Sequence, residues 1–453
     1  MNSVIRVVMV ALVFVGSDAS AVVYTVRSDG TGDHPTIQAA VDACEEGDIV
    51  ELADGTYVGD GNRDITLIAT LATIRSQSGN PEACVIDCGG SEEEPHQGIA
   101  FRAGGGLSLE GVMIRGGFAI TYDDYGGAVS CDLSSPAISN CIFKGNTAYI
   151  GGGLACISCS PTIHSCSFIE NTALNGGGID CHYSSPTLTA CTFTGNVAEN
   201  HGGGLYAYMS STTLTDCVFS ANSGTQNGGG CYLIDSTARL EHCTFSGNTT
   251  DDRGGGLHCN DSEGQLINCS MYANSAFHGS GACVHSHGSL SIESTVIVYG
   301  FGSTAAIRDG SSDLLFTCSN IYGNEGGDWL NVIAAQLGED GNISEDPLFC
   351  GAEGGDFTLS VSSPCASFSP PNEECDLIGA WPVGCDFEIL ACCVEQECQL
   401  TSEEDCNSLG GEWMIDPPQM SCEPNPCLTP VMKTTWGGIK TLFRSGVRES
   451  EQP

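Results

Sequence analysis

The sequence predicts an all-β solenoid, a right-handed parallel β-helix in which each coil of about 25 residues contributes three short strands. Three observations predict this fold. One motif recurs along the chain and reads CTFTGNVAENHGGG at residues 191–204. Its copies are spaced 25 or 26 residues apart. Within each copy, apolar and polar residues alternate with the period of two that is typical of a strand.

Three columns of residues follow from this period. They consist of the cysteines Cys141, Cys166, Cys191, Cys217, Cys243 and Cys269, of Phe143, Phe168, Phe193, Phe219 and Phe245 with Met271, and of Asn146, Asn171, Asn196, Asn222, Asn248 and Asn274. We expect the Cys and Phe side chains to point inward and to stack on their copies. The Asn is expected at a left-handed corner, hydrogen-bonded to the next Asn, and the glycines allow a sharp turn.

The strands of one coil begin after each glycine triplet. Leu205 and Ala207 alternate there with Tyr206 and Tyr208. A Ser-Pro or Ser-Thr corner, a second short strand and a third strand with the Cys and Phe complete the coil. Leucine-rich repeats have the same length, but their Leu-x-x-Leu-x-Leu pattern is missing.

The regions outside the repeat predict how the chain is organised. The predicted segments are a signal peptide (1–21), the β-helix (22–385), a Cys-rich disulfide module (386–427) and a C-terminal tail (428–453). The first segment has an apolar core and a small-residue cleavage site near Ala21, which predicts a secreted or cell-surface protein. Thr36 to Cys44 is predicted to be an amphipathic helix that covers the open first coil. The tail is interpreted as a sorting signal or, alternatively, a disordered end.

Charge and cysteine content limit the compartment and the partners. The chain has 56 acidic and 14 basic residues, a formal charge of -42, and 27 cysteines. We expect no nucleic-acid partner, and anionic membrane surfaces are poor partners, because both would be repelled. So many cysteines are typical of an oxidising compartment. No segment after the signal peptide has the roughly 18 uninterrupted apolar residues of a membrane-spanning helix.

Two families are similar to parts of this chain. The FTGN at 193–196 and its copies, with the glycine triplets, resemble the FxxN and GGA elements of polymorphic outer membrane protein repeats. The stretch DGTGDHPTIQAAVDAC at 29–44 resembles the opening segment of secreted pectate-lyase-like β-helix proteins. The first resemblance implies adhesion, and the second implies a substrate groove along one parallel face. Both imply the fold more specifically than any activity.

Cysteine pairs recur ten residues apart, at Cys131/Cys141, Cys156/Cys166, Cys181/Cys191 and Cys259/Cys269. We predict that each pair forms a disulfide between the first and third strands of its coil. The alternative is a column of buried free thiols that pack as small apolar groups.

Outward-facing rows on the strand after each glycine triplet contain the candidate ligand-binding residues. These are Asp180, His182, Tyr206, Tyr208, Tyr232 and His258. Aromatic and polar rows of this kind suit stacking against sugar rings. The alternative is that Tyr is simply a favourable exposed strand residue.

The loops between the Asn and the glycine triplet form a second line, which includes Tyr149, Glu199 and His201. The candidate catalytic residues Asp251, Asp252 and His278 belong to this line and resemble the paired aspartates and His of polygalacturonases, although the Asn-Thr-Asp element of that family is not at its expected separation. The candidate metal ligands Asp123 and Asp124 lie on its extension, since paired acids suit Ca²⁺. The alternative is solvated turn residues without function.

Two functions are compatible with these patterns. The first is an exported, non-catalytic, adhesin-like protein that binds a surface, a glycan or a protein partner. The alternative is a polysaccharide hydrolase, with a lyase less favoured. A lyase needs basic residues around an acidic substrate, and only Lys144, Arg239 and Arg253 lie between Arg115 and Arg308. No cofactor other than Ca²⁺ is expected.

Overall fold

A computed structural model confirms the parallel β-helix. It describes residues 21–68, 72–104, 107–120, 125–308 and 311–385, and the backbone of 390–394, 397–401 and 412–414. The chain divides into two compact units. The first contains the residues up to Ala238 together with Asn248–Asp252, and the second contains Arg239–Gly247 and the residues from Arg253 onward.

The first unit has four parallel sheets. Sheet I, after the glycine triplet, contains Ile65–Ile68, Ile99–Arg102, Val129–Asp132, Leu154–Ile157, Ile179–His182, Leu205–Tyr208 and Cys231–Ile234. Sheet II contains Val23–Val26, Ile49–Leu52, Thr73–Ser76, Ser108–Glu110, Ala137–Ser139, Thr162–His164, Thr187–Thr189 and Ser211–Thr215. Sheet III contains Gly55–Tyr57, Cys84–Asp87, Met113–Arg115, Ile142–Lys144, Ser167–Ile169, Thr192–Thr194 and Val218–Ser220.

Sheet IV is a fourth strand layer that the sequence did not predict. It contains Phe118–Ala119, Thr147–Ile150, Thr172–Asn175, Val197–His201, Ser223–Gly224 and Thr249–Thr250, just before the glycine triplets. The loop of each middle coil is extended because Ala148, Ala173 and Ala198 occupy equivalent buried positions in register. The middle coils therefore have four strands rather than three.

The predicted asparagine ladder is present in the first unit. The side chains of Asn146, Asn171, Asn196, Asn222 and Asn248 are fully buried. Asn196 Oδ1 accepts hydrogen bonds from the backbone N and the Nδ2 of Asn171, both at 3.0 Å. Its own Nδ2 donates to the Phe168 carbonyl at 2.9 Å and to Asn222 Oδ1 at 2.9 Å. Each Asn thus satisfies the corner of its own coil and those of its two neighbours, which burial requires.

The position of the left-handed corner differs from the prediction. The residue before the Asn has the positive φ, at Gly145 (61°), Glu170 (53°), Gly195 (64°), Ala221 (54°) and Gly247 (62°). The Asn is instead selected for its amide, which both donates and accepts.

The glycine triplet and the Phe column depend on each other. The rings of Phe168 and Phe193 stack with centroids 4.8 Å apart, and those of Phe193 and Phe219 with centroids 4.4 Å apart. A Cβ added at Gly204 would lie 2.7 Å from Phe219 Cδ1. Gly202, the first of its triplet, has a φ of 66°. One glycine therefore permits the turn, and another leaves room for the aromatic column.

The structure does not contain the predicted disulfides within coils, which stay a prediction. All eight cysteines, Cys131, Cys141, Cys156, Cys166, Cys181, Cys191, Cys259 and Cys269, are buried free thiols. In sheet I, Cys131, Cys156 and Cys181 pair in register along the helix axis. The corner thiols contact copies in the next coil, as Cys141 does Cys166. Each column therefore packs against itself rather than across the coil.

The capping helix is confirmed as Ile37–Ala43. Thr36 caps its start, with Oγ1 accepting from the Ala39 backbone N at 3.2 Å. Ile37, Ala40 and Val41 are buried. The amphipathic pattern thus placed its apolar face correctly.

The second unit is also wound from short parallel strands. Its strands are Leu257–Asn260, Ala282–His285 and Ala306–Arg308 in sheet I, Glu263–Ile267, Ser289–Glu293 and Asp313–Thr317 in sheet II, and Thr244–Ser246, Ser270–Tyr272, Val296–Val298 and Asn320–Tyr322 in sheet III. The strand Thr237–Glu241 contains a boundary between the units. Short 3₁₀ helices, Asn331–Gln336 and Ala352–Gly354, and a small sheet of Phe349–Gly351, Asp356–Ser360 and Val383–Cys385 follow.

Two disulfides connect the closing segment of the second unit. Cys318 pairs with Cys375 and Cys350 with Cys385, with Cα atoms 5.7 Å and 6.0 Å apart. The Cys318–Cys375 bridge holds the closing segment against the coils of this unit. Farther along that segment, Trp381 Nε1 donates to Thr244 Oγ1 at 2.8 Å. The closing segment therefore covers part of the sheets of this unit.

The terminal predictions fall mainly outside the described residues. This holds for the signal peptide, for the tail 428–453 and for much of the module 386–427. Within that module, Leu390–Val394 pairs antiparallel with Glu397–Thr401 and with Glu412–Met414. In the described part of the chain, no helix is both long and apolar enough to span a membrane.

We predict that Asn196→Ala destabilises the first unit by about 3 kcal/mol, because buried groups of Asn171 and Phe168 lose their partners. Urea denaturation followed by circular dichroism measures this. Asn200→Ala is the matched control, because Asn200 is half-buried and its amide contacts Gln226 on the surface. Equal stability of the two variants would contradict the role of the ladder.

We predict that the double variant Cys318→Ser/Cys375→Ser loses about 3 kcal/mol of stability in the second unit, because the bridge closes a long loop. Thermal unfolding without reductant measures the loss. Cys44→Ser, which removes a half-buried free thiol, serves as control. A double variant as stable as this control would show that the bridge does not hold the closing segment.

Candidate functional site

The outward face of sheet I brings the predicted ligand-binding residues of the first unit together. Asp180, Tyr206 and Tyr232 pair in register on successive strands, and so do His182 and Tyr208. Ile179 and Cys181 point inward between them and are fully buried. The alternation of the strand therefore forces the polar and aromatic side chains to one face.

Asp180 is a buried carboxylate on this outer face. It has 0 % relative exposure because neighbouring side chains cover it. Its Oδ1 lies 2.9 Å from His182 Nε2, a contact that is an ion pair when the imidazole is protonated. Neither carboxylate oxygen has a hydrogen-bond partner among the described residues. A buried charge without such partners is costly, so the pairing with His182 is its main compensation.

The proton affinities of this pair are shifted in the same direction. Burial raises the pKa of Asp180, and the contact with His182 offsets this only in part. For His182, burial alone would lower the pKa, but the contact with Asp180 outweighs burial and raises it. The protonated imidazole is thus favoured beside the carboxylate.

Aromatic rings surround the pair. The His182 ring lies 5.7 Å from that of Tyr206 and 5.4 Å from that of Tyr208. Burial raises the pKa of the Tyr206 hydroxyl well above its usual range. Tyr206 and Tyr232 are only 8 % and 5 % exposed. They form the base of the site rather than a platform for a ligand.

Two residues that the ligand-binding prediction did not include complete this surface. Tyr183 follows His182 at a left-handed corner and is 57 % exposed, with its ring 5.7 Å from that of Tyr208. His201 of sheet IV lies 5.0 Å from the Tyr232 ring. Burial lowers the pKa of His201. The corner position after each sheet I strand could have indicated Tyr183, whereas His201 depends on the unpredicted fourth strand.

We call Asp180, His182, Tyr183, His201, Tyr206, Tyr208 and Tyr232 the Asp180 cluster. Its exposed part consists of Tyr183, Tyr208 and the edge of His182. The carboxylate lies beneath them. This arrangement can stack against a flat apolar face and donate a hydrogen bond from the imidazolium.

Two further residues of the second line, Tyr149 and Glu199, lie at sheet IV. Tyr149, Leu174 and Glu199 line an open groove with a volume of about 220 Å³, together with Ile120. The sequence placed Tyr149 and Glu199 in one line of loops. The structure makes that line a sheet face with one acidic group.

His258, the remaining predicted ligand-binding residue, lies in the second unit. It is 2 % exposed, with its ring 6.4 Å from that of His285. His285 Nδ1 lies 2.6 Å from Ser286 Oγ. The role of His258 in binding stays a prediction.

The predicted catalytic residues are distributed over the two units. Asp251 is exposed and Asp252 half-buried, and both follow the last strand of sheet IV in the first unit. His278 belongs to the second unit, where its ring contacts Phe277 at 4.6 Å. Their joint action in catalysis stays a prediction.

The predicted calcium ligands Asp123 and Asp124 lie outside the described residues. Within the part of the chain that is described, no three His, Cys, Asp or Glu side chains are grouped as a metal site would require. Calcium binding stays a prediction.

Comparisons with known proteins concern the repeats and the fold. Residues 190–208 and 242–260 match the Chlamydia polymorphic membrane protein repeat. No significant match was found among curated protein sequences.

Solved structures with a similar winding include pectate lyase Pel9A, with 13 % identity, a TM-score of 0.45, and coverage of 80 % of this chain and 96 % of that one. A rhamnogalacturonan lyase has 10 % identity, a TM-score of 0.43, and coverage of 72 % and 95 %. The catalytic unit of a GH87 alpha-1,3-glucanase from Streptomyces thermodiastaticus has 12 % identity, a TM-score of 0.40, and coverage of 73 % and 68 %. Likeness at this level does not extend to activity. The chain is a parallel β-helix protein with repeats of the polymorphic membrane protein type.

Proposed function

We propose that this protein is exported and binds a neutral glycan, without turning it over, at the Asp180 cluster of its first unit. The observation that carries the proposal is the ion pair of Asp180 and His182 beneath two accessible tyrosine rings. The pair supplies a fixed polar group and the rings supply apolar faces. Both are features of sites that bind sugars.

The aromatic rings of the proposed site pack against one another. The rings of Tyr183 and Tyr208 lie edge to face, and Tyr206 packs under His182. A tyrosine loses little conformational entropy on binding when it is already held by neighbours. The face of a sugar ring can then stack on Tyr208 or Tyr183.

The polar part of the proposed site is the imidazole of His182, and its contact with the buried Asp180 orients it. His182 Nε2 faces Asp180, so the other ring nitrogen, Nδ1, is directed away from the carboxylate. In the protonated imidazole this nitrogen is a donor, and a sugar hydroxyl is a suitable acceptor. A buried carboxylate that keeps the ring charged and in one orientation strengthens such a bond.

The choice of a neutral glycan follows from charge. The chain has a formal charge of -42, so an anionic polysaccharide meets long-range repulsion. Export is supported by the two disulfides, since such bonds persist in oxidising compartments. The matched repeat is named after a membrane protein, which supports an adhesin-like role at a surface.

We predict that Tyr208→Ala and Tyr183→Ala each weaken binding of neutral oligosaccharides about tenfold, because each removes one stacking face. An array of neutral glucan and galactan oligosaccharides identifies the ligand, and calorimetry measures the affinity. Phe301→Ala removes an exposed ring of the second unit and leaves affinity unchanged.

Two results would overturn this proposal. The first is that neither tyrosine variant differs from Phe301→Ala on any glycan bound by the wild type, or that no neutral glycan binds. The second is release of reducing ends from the bound oligosaccharide, with loss of that release in Asp252→Asn. That result would establish the hydrolase instead.

We predict that the His182–Asp180 pair makes stability depend on pH. The folded pKa of His182 is raised above 6.5. Its contribution is therefore complete below pH 6.5 and is lost as the pH rises through the folded value. In Asp180→Asn, burial alone acts on the ring and lowers its pKa, so this loss is absent.

Urea midpoints at about pH 5.5 and about pH 8.5 test this linkage, since the interval spans the usual range of histidine titration. The wild type is expected to lose stability relative to Asp180→Asn as the pH rises. Parallel pH profiles for the two proteins would contradict the pairing.

A further inference from the structure

The corner after sheet I has a column of buried serines with one exception. Ser134, Ser184, Ser210 and Ser236 occupy this position in four coils of the first unit, and Cys159 replaces the serine in a fifth. The serines form a ladder, in which the backbone N of Ser184 donates to Ser210 Oγ at 3.1 Å. Cys159 stays in this ladder through its backbone N, which donates to Ser184 Oγ at 3.2 Å, and its thiol takes the place of the serine hydroxyl.

Cys159, the exception in this column, lies close to the thiol of Cys156. Cys156 points inward from the strand Leu154–Ile157. Ser158, which directly follows this strand, has a φ of 50°. This left-handed residue turns the chain so that the side chain of Cys159 points back to the interior. Both cysteines are free thiols in the structure and are in contact with each other, and Cys156 also contacts Cys181 of the next coil.

We propose that Cys156 and Cys159 form a disulfide across this corner when the protein folds under oxidising conditions. The structure contains disulfides in its second unit, so the native environment supports such bonds. The spacing of the pair, Cys-Ile-Ser-Cys, closes a very short loop, which keeps the two thiols close in the unfolded chain. The bridge would fix the corner that precedes sheet II in this coil.

The reaction is an exchange with a small-molecule or protein disulfide. The thiolate of one cysteine attacks the oxidant and forms a mixed disulfide, and one thiol of the oxidant leaves. The second cysteine then displaces the other. In total, two thiols of the protein lose two protons and two electrons, and the oxidant is reduced to two thiols.

Burial determines when this reaction can occur. Cys156 is 0 % exposed and Cys159 5 % exposed, and their pKa values are raised well above that of an ordinary thiol. Exchange needs an accessible thiolate, so the bond forms before the coils stack. Cys131 and Cys181 lie beside Cys156 in adjacent coils and are its alternative partners.

The test counts the free thiols of protein folded with oxidised and reduced glutathione, denatured without reductant and alkylated. Intact mass gives the number of alkyl groups. In Cys159→Ser, which restores the serine of the column, loss of a bridge frees Cys156 and adds one alkyl group relative to wild type. The double variant Cys156→Ser/Cys159→Ser then carries the same number as wild type.

Two controls calibrate the count. Cys318→Ser frees Cys375 and adds one alkyl group, which shows that the preparation was oxidised. Cys44→Ser removes a free thiol and subtracts one. If the double variant carries two fewer alkyl groups than wild type while Cys318→Ser carries one more, Cys156 and Cys159 are free thiols and the proposal is wrong.

A wild-type bridge from Cys156 to Cys181 would also leave the double variant equal to wild type, so peptide mass mapping of the unreduced wild type separates the two cases. A loss of two hydrogens within the peptide that contains Cys156 and Cys159 is expected, and a crosslink from this peptide to that of Cys181 would overturn the proposal.

Discussion

The in-register stacking of identical corners is the constraint on which the rest of this structure depends. In the coils from Asn146 to Asn222, a buried Asn bonds to the Asn of the next coil and to a backbone carbonyl of the previous one. These bonds need a spacing close to the roughly 4.8 Å between hydrogen-bonded strands. A coil of a different length would misplace the Asn, which accounts for the narrow period of 25 or 26 residues.

The same stacking places equivalent side chains of successive coils in rows, and the site occurs where a few coils carry unusual residues in these rows. The sheet I strands present two outward positions each, and the coil before Asp180 fills them with the small and aliphatic residues Ala155 and Ile157. Only over a few coils do these positions carry Asp180, His182 and the tyrosines. Because neighbouring positions lie one strand apart, side chains distant in sequence cover a carboxylate completely. A regular scaffold thus forms a desolvated polar group on its surface, which isolated strands could not do.

The cysteines show how far a pattern in sequence can be interpreted. Their spacing of ten within coils suggested bridges between strands of one coil, but Cys131, Cys156 and Cys181 lie in register on adjacent strands, and Cys166 contacts Cys141 of the neighbouring coil. Close packing with copies along the axis therefore decided their environment. Among the described residues, the disulfides Cys318–Cys375 and Cys350–Cys385 connect the closing segment, where the repeat decays and no period predicted a partner.

The sequence by itself determined the solenoid, its period, the capping helix and the face of Asp180, His182, Tyr206 and Tyr208, because these depend on local alternation and on repetition. Only the tertiary structure decided the fourth strand, the left-handed residue before each Asn, and which tyrosines are covered. These depend on contacts between coils, which a single repeat does not encode. Tyr206 and Tyr208 are two residues apart and share a strand face, yet one is buried by His182 and its neighbours while the other is accessible.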